Sequence, residues 1–251
     1  MERPDVLELG SGRRALAIGP EDEKDLPAAI RLLGVETPQP TLVAIGGASG
    51  IDEAESAALA PVAEALVRAA RATNATIVDG GTDAGLMALV GRARAAAGLH
   101  APLVGVLPRA LACRPGEPLV GSAATLEPNH THFVLVPGSI WGDEAPWLAH
   151  VADTVAGSCP SVTVLVNGGD VSLIDVAESL DGGRRVLAVA GTGRAADALV
   201  AALGGSPADA GTEALVGTGL VEAVSVGEDA WPSLEERVEA ILGSRSLADG
   251  D

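Results

Sequence analysis

The sequence predicts an α/β fold with a mostly parallel sheet, helices on both faces and a single domain over residues 1–251. Apolar runs suited to buried strands alternate with helical patterns along the chain. Four of these runs end in a glycine turn that leads into a helix. We find no linker that separates domains, and the 47% of hydrophobic residues can fill a large core.

The elements follow from these patterns in chain order, with residues 1–10 and 243–251 as frayed ends. Strands are predicted at 14–18, 41–45, 76–79, 103–107, 132–136, 162–166, 186–189 and 221–226. Helices are predicted at 25–33, 60–72, 84–97, 147–156, 172–180, 195–203 and 232–242. The second helix starts near residue 60 because Pro61 suits a first turn better than a helix interior. Thr82 or Asp83 is predicted to cap the third.

The composition excludes several functional classes. The formal net charge is −18, which disfavours nucleic acid and anionic membranes as partners. The chain lacks a secretory signal pattern and a long uncharged apolar stretch, so we expect no membrane partner. Two isolated cysteines, Cys113 and Cys159, fit reduced thiols in a cytoplasmic protein. A homo-oligomer is possible.

The four glycine turns predict where the protein works. They are Gly46-Gly47, Gly80-Gly81, Gly168-Gly169 and Gly191-Thr192-Gly193. The carboxyl ends of parallel strands meet at one edge, where open α/β sheets bind ligands. Glycine turns and helix N-termini present backbone N–H groups to phosphates. The pattern therefore predicts a site for a phosphate-bearing ligand.

The last glycine turn matches G-x-G-x-x-A, but it lacks the support that a dinucleotide-binding dehydrogenase requires. The acidic residues that follow, Asp209 and Glu213, are predicted to lie in a glycine-rich loop rather than at a strand end. Arg194 could pair with a phosphate. Asp197 could accept from a ribose hydroxyl or hold Arg194 in place.

Two further segments carry candidate functional side chains. Alternation places His130 and His132 on one face of a strand and Phe133 on the other. No third ligand stands at a recognisable spacing, so we expect no metal site. In the loop that follows, Trp141 could stack on a purine. Asp143 or Glu144 could bind ribose hydroxyls or act as an acid or base.

The order of these motifs resembles the SLOG superfamily over about residues 14–203. The similarity is greatest to the bacterial LSDAT branch, which is related to the cytosolic N-terminal domain of melastatin-type TRP channels (TRPM). The segments that carry it are Gly46-Gly47-Ala48, residues 74–87, residues 130–136, Asn167-Gly168-Gly169 and residues 191–197. Residues 204–243 would extend the sheet, and 244–251 would form a tail.

The resemblance implies a Rossmann-like fold that binds a nucleotide-derived ligand, such as ADP-ribose or cyclic ADP-ribose, as a sensor without turnover. No other cofactor is required, and no catalytic residue is expected beyond the candidates Asp143 and Glu144. The ligand-binding residues implied are Gly46, Gly47, Ala48, Ser49, Gly80, Gly81, Thr82, Asp83, Gly85, Leu86, Met87, His132, Pro137, Gly138, Trp141, Gly168, Gly169, Gly191, Thr192, Gly193, Arg194 and Asp197.

An alternative is an N-glycosidic hydrolase acting on a nucleotide or NAD-type substrate. It follows from a second resemblance, to the lonely-guy phosphoribohydrolases and their motif P-G-G-x-G-T-x-x-E. Pro137-Gly138 fits that motif, whereas Ser139, Trp141 and Gly142 depart from it. Ala145 stands where the catalytic glutamate would be, and Glu144 falls one place early.

Overall fold

A computed structural model describes residues 3–10, 12–47, 53–227 and 232–244. These residues form an α/β fold around a nine-stranded sheet, which confirms the predicted fold class. The strands are β1 (Asp5–Glu8), β2 (Arg14–Ile18), β3 (Thr41–Gly46), β4 (Thr76–Asp79), β5 (Leu103–Pro108), β6 (Ala112–Cys113), β7 (Ala124–Thr125), β8 (His132–Val136), β9 (Ser161–Val166), β10 (Arg185–Val189) and β11 (Val221–Val224). Among them, β6 and β7 form a separate two-stranded sheet.

Helices alternate with the strands as predicted. They are α1 (Leu26–Leu33), α2 (Glu53–Thr73), α3 (Gly85–Ala97), α4 (Ala145–Ala156), α5 (Asp170–Asp181), α6 (Arg194–Leu203), α7 (Ala210–Gly217) and α8 (Leu234–Leu242). None of the described helices is long and apolar enough to cross a membrane.

The strand order of the large sheet is β1-β2-β8-β5-β4-β3-β9-β10-β11. Only β1 is antiparallel to its neighbour, and every other pairing is parallel. The chain runs outward from β3 through β4, β5 and β8, and then returns to place β9 on the other side of β3. This reversal of strand order opens a crevice at the carboxyl ends of β3 and β9, where open α/β sheets hold ligands.

Two hydrophobic cores cover the faces of the sheet because side chains alternate along each strand. Val43 and Ile45 of β3 pack with α1, α4, α5 and α6 on one face. Leu42 and Ala44 of the same strand pack with α2, α3 and α8 on the other. The helices that begin at the carboxyl edge therefore approach the crevice from both sides.

Three sequence predictions about element boundaries are wrong. Residues 5–8 form an edge strand rather than a frayed end, because pairing with β2 buries Leu7. Helix α2 continues through Pro61, which is exposed, since the buried face of the helix offsets one missing hydrogen bond. Glu213 lies in α7 rather than in a loop, and Asp209, at the end of the preceding loop, accepts two backbone N–H groups with its carboxylate and caps that helix. Part of the predicted tail, 245–251, lies outside the described residues.

Candidate functional site

A cavity of about 530 Å³ lies at the carboxyl edge of the sheet, at the crevice between β3 and β9. Eight of the residues that the resemblance implied line it: Gly46, Gly47, Gly80, Thr82, Met87, Trp141, Gly169 and Arg194. The candidate acid Glu144 lines it as well. Three of the four glycine turns thus reach this cavity directly, and the fourth leads into Arg194.

The end of β3 forms the floor of the cavity. A methyl group on Gly46 would lie 2.7 Å from Leu86 Cδ2 and 2.8 Å from the carbonyl oxygen of Val166. Only a residue without a side chain leaves room for the start of α3 at this point. The carbonyl of Gly47 also accepts from the Leu86 N–H at 3.2 Å, which ties the turn to α3.

The turn between β4 and α3 forms one wall. Asp79 Oδ1 accepts the Gly81 N–H at 2.7 Å. Neither Thr82 nor Asp83 caps the helix, contrary to the sequence prediction: the N-cap position is Ala84, and it makes no side-chain capping bond. Thr82 Oγ1 is instead buried without a hydrogen-bond partner among the described residues, and the Thr82 residue lines the cavity.

A buried charge network supports this wall from behind. His130 Nε2 lies 2.8 Å from Asp79 Oδ1, and its Nδ1 lies 2.9 Å from Glu127 Oε2. Burial alone lowers the pKa of His130, but the charge and hydrogen bond of Asp79, with the contribution of Glu127, raise it to about 9. The imidazolium therefore bridges two carboxylates. The Glu127 N–H donates to the Gly81 carbonyl at 3.0 Å, so the backbone N–H and the carbonyl of Gly81 are both hydrogen-bonded to residues of this network.

The two histidines do not share a face, contrary to the alternation expected for a strand. The ring of His130 stacks on Phe133 with centroids 5.2 Å apart. The regular strand begins only at His132, so alternation does not extend back to His130. His132 begins β8 at the amino edge and does not line the cavity. No group of three or more His, Cys, Asp or Glu side chains in the described part of the chain could hold a metal ion.

The loop after β8 separates the roles of the two candidate acids. Asp143 Oδ2 accepts the N–H groups of Ser139 at 2.8 Å and Ile140 at 3.2 Å, so this carboxylate holds the loop together. Trp141 Nε1 donates to the Ser122 carbonyl at 2.9 Å, and the residue lines the cavity. Glu144 is only 6% exposed and lies on the cavity wall.

Two carboxyl groups on the cavity wall have unusual proton affinities. Burial raises the pKa of Glu144, although backbone hydrogen bonds at Glu144 and Gly142 oppose the shift. Burial, with the charges of Glu144 and Glu178, raises the pKa of Asp175 to about 8. Titratable groups perturbed in this way cluster at functional sites. The sequence analysis missed Asp175 because a single acid in a helical pattern resembles an ordinary surface residue.

The turns after β9 and β10 are joined to each other. The Asn167 N–H donates to Thr192 Oγ1 at 2.9 Å, and Asn167 Nδ2 donates to the Thr192 carbonyl at 2.8 Å. The carboxylate of Asp197 accepts the N–H groups of Gly191 at 2.7 Å and Gly193 at 3.0 Å. Asp197 therefore holds its own loop. Arg194 follows that loop with φ +47° and lines the cavity.

The other implied residues that the structure describes do not line the cavity. Most belong to the turns behind it or to the loop after β8: Gly81, Asp83, Gly85, Leu86, Pro137, Gly138, Gly168, Gly191, Thr192, Gly193 and Asp197. Ala48 and Ser49 lie outside the described residues. The lining also contains residues that sequence reasoning did not select: Ala44, Ile45, Ala84, Ser122, Ala124, Leu148, Asp170, Val171, Ser172 and Asp175. Asp170 directly follows the predicted turn Gly168-Gly169, so its place at the cavity could have been predicted from the sequence.

Comparisons with known proteins agree with this architecture. An X-ray structure of the structural genomics target TM1055 matches with a TM-score of 0.56 and 20% sequence identity, over 82% of this chain and 100% of that one. A likeness at that identity shows the fold alone. No curated protein gives a significant match. A family model described as "SLOG in TRPM, prokaryote" matches residues 39–232, which is more than half of the chain. The protein therefore belongs to this prokaryotic LSDAT family of SLOG domains.

Proposed function

We propose that the protein binds a nucleotide-derived ligand, such as ADP-ribose or cyclic ADP-ribose, in the carboxyl-edge cavity, as a sensor without turnover. The observation that carries the proposal is the cavity itself, lined by glycine turns, Arg194 and Trp141 at the point where the strand order reverses. Its volume of about 530 Å³ falls in the range typical of small-molecule sites.

The charges of the lining support an orientation for the ligand. Arg194 is the only cationic side chain among the described lining residues, and it begins α6. Gly169 is the N-cap residue of α5. Cations and helix N-termini both stabilise phosphate groups, so we place the phosphates between these two helix starts. The Trp141 ring then offers an aromatic surface to the base, and stacking on it does not require a particular base.

Isothermal titration calorimetry with ADP-ribose, cyclic ADP-ribose, AMP and NAD tests this proposal. We expect at least one to bind with a Kd below about 1 mM, equivalent to about 4 kcal/mol. Arg194→Ala should weaken that binding about tenfold or more, because a hydrogen bond to a charged group contributes about 1.5–3 kcal/mol. Arg14→Ala is the matched control, since Arg14 pairs with Glu8 at the start of β2. Failure of all four compounds to bind contradicts the proposal.

A second candidate function is hydrolysis of an N-glycosidic bond, and the burial of Glu144 favours it. Burial raises the pKa of this carboxyl group, which is the direction that a general acid at neutral pH requires, and Trp141 lines the same cavity. Release of free base from the same panel of nucleotides would support this function. Glu144→Gln should then abolish release. Asp143→Asn should retain it, because the Asp143 carboxylate serves the loop. No release from any compound removes this candidate.

We also propose that the protein resides in the cytoplasm. The support is that neither Cys113 nor Cys159 forms a disulfide. Fractionation of producing cells should place the protein with the cytoplasmic fraction, and recovery from an oxidising compartment contradicts the proposal.

A further inference from the structure

Two residues of the cavity lining, Thr82 and Asp175, hold a buried side-chain oxygen without a hydrogen-bond partner among the described residues, and only that of Asp175 is ionisable. This residue lies in the second turn of α5 and lines the cavity. Its Oδ1 is fully enclosed and has no hydrogen-bond partner among the described residues. Ionisation would place negative charge on this enclosed, unpaired oxygen at a cost, whereas a protonated carboxyl group can remain there as a hydrogen-bond donor.

The surroundings of Asp175 disfavour a second negative charge. Glu144, the N-cap residue of α4, lines the same cavity, and Glu178 follows one turn after Asp175 on α5. Both charges raise the pKa of Asp175, and burial raises it further, to about 8. The carboxyl group therefore carries its proton at pH 7 and releases it in mildly alkaline solution.

We propose that Asp175 is a specificity-determining residue of the cavity, which holds a proton at neutral pH and donates it in a hydrogen bond to an acceptor atom of the bound ligand. This inference rests on the proposed nucleotide-type function and adds a residue to the site. The acceptor is a sugar oxygen or a ring nitrogen, since the phosphates are assigned to Arg194 and the start of α5. The enclosed Oδ1 does not reach the cavity, so Oδ2 is the atom that carries the donated proton.

The charged residues on α5 and on the elements packed against it are mostly acidic. On α5 itself they are Asp170, Glu178 and Asp181; on the elements packed against it they are Glu144, His150 and Asp153 of α4, Arg185 of β10, Arg194 and Asp197 of α6, and Glu213 of α7. Asp170, Glu144 and Arg194 share the cavity lining with Asp175. Strands β3 and β9, which also pack against α5, carry no charged side chain. Apart from Arg194, no cation lines the described part of the cavity to stabilise an ionised Asp175.

Calorimetric titration of the full chain with ADP-ribose at pH 6.5 and pH 9.5 tests the proposal. ADP-ribose suits the test because its diphosphate does not titrate between these values. The wild type should bind more weakly at the higher pH, by about tenfold for each pH unit above 8, or about 30-fold in total. Asp175→Asn keeps the shape and an N–H donor at every pH, so its affinity should change less than about threefold.

Two further variants complete the design. Asp175→Ala lacks the donor and should bind weakly at both pH values. Asp170→Asn is the matched control, because Asp170 lines the same cavity and begins the same helix but is exposed. It should keep the pH dependence of the wild type. The wild type and Asp175→Asn share the titration of His130 near pH 9, so the difference between them isolates Asp175.

The outcomes separate this inference from the proposed function. Equal affinity of the wild type at both pH values, or a loss in Asp175→Asn as large as in the wild type, overturns the role of Asp175 alone. A wild type that does not bind ADP-ribose at pH 6.5 overturns the proposed function for this ligand, and the role of Asp175 with it.

Discussion

Replacement of Asp175 by Asn should change how the stability of the protein depends on pH. The pKa of Asp175 is about 8 in the folded protein, against 3.8 for an unperturbed aspartate side chain. Between these values the folded state keeps a proton that the unfolded state has lost. Folding is therefore favoured by acid, and the free energy of unfolding falls as pH rises from about 4 to about 8. Above pH 8 the contribution is constant, and Asn makes none at any pH.

The size of the effect follows from the pKa difference. Each unit of difference corresponds to about 1.4 kcal/mol, so the wild type should lose about 3 kcal/mol relative to Asp175→Asn between pH 5 and pH 7. At pH 7 and above, the variant should be the more stable protein, because wild-type Asp175 must take up a proton on folding at pH 7 or bury its charge above pH 8, whereas Asn does neither. A gain in stability from removal of an ionisable side chain marks a residue kept for function rather than for folding.

Urea unfolding at several pH values, followed by tryptophan fluorescence, measures this difference. Urea is preferred to guanidinium because it does not raise the ionic strength. Other groups titrate in the same range, but they cancel when the wild type is compared with the variant at each pH. Asp170→Asn serves as the control, and its curve should parallel that of the wild type above pH 5. Parallel curves for the wild type and Asp175→Asn between pH 5 and pH 8 would refute the reasoning.

Other substitutions test the walls of the cavity. Gly46→Ala should lower the free energy of unfolding by about 1–3 kcal/mol in urea, because the added methyl group would lie 2.7 Å from Leu86. Gly169→Ala should be nearly neutral, because no atom lies within 4 Å of the added methyl group. Equal losses in the two variants would contradict this packing. His130→Ala leaves two buried carboxylates without their cation and should cost about 3–5 kcal/mol below pH 7. Because the pKa of His130 is raised to about 9, the wild type should lose this advantage as pH rises through 9, and a pH-independent difference would contradict the network. Trp141→Ala should weaken ADP-ribose binding about tenfold or more in calorimetry, and Trp141→Phe less than that; equal effects would argue against stacking.

The sequence predicts most of the fold because the sheet is buried on both faces. Strands such as β3 and β9 are continuous apolar runs, and each is followed by glycine. Strand β1 is not predicted from the sequence because it is a short edge strand with a charged residue at each end, and its pairing with β2 stabilises it. The start of helix α2 is not predicted because the exposure of Pro61, which lets the helix continue through it, depends on how the helix packs in the folded protein. Rules based on local sequence therefore fail for elements whose bounds are set by tertiary contacts.

The candidate site likewise contains residues that can be located from the sequence and residues that cannot. The glycine turns and Arg194 can be located from sequence, since their place follows from the carboxyl ends of parallel strands. The environment of Glu144 and Asp175 cannot, because it depends on the packing of α4 against α5 around one cavity. The choice between Asp143 and Glu144 likewise requires the three-dimensional structure: both carboxylates accept backbone N–H groups of their own loop, but only Glu144 lines the cavity.

The most direct test is a titration of ¹⁵N-glycine-labelled protein with ADP-ribose, followed by amide chemical shifts. We expect the largest amide shifts at the glycines that line the cavity: Gly46, Gly47, Gly80 and Gly169. Gly34 and Gly98, at the carboxyl ends of α1 and α3 on the opposite side of the sheet, should stay unchanged. Shifts confined to Gly34 and Gly98, or none at saturating ligand, would contradict this expectation.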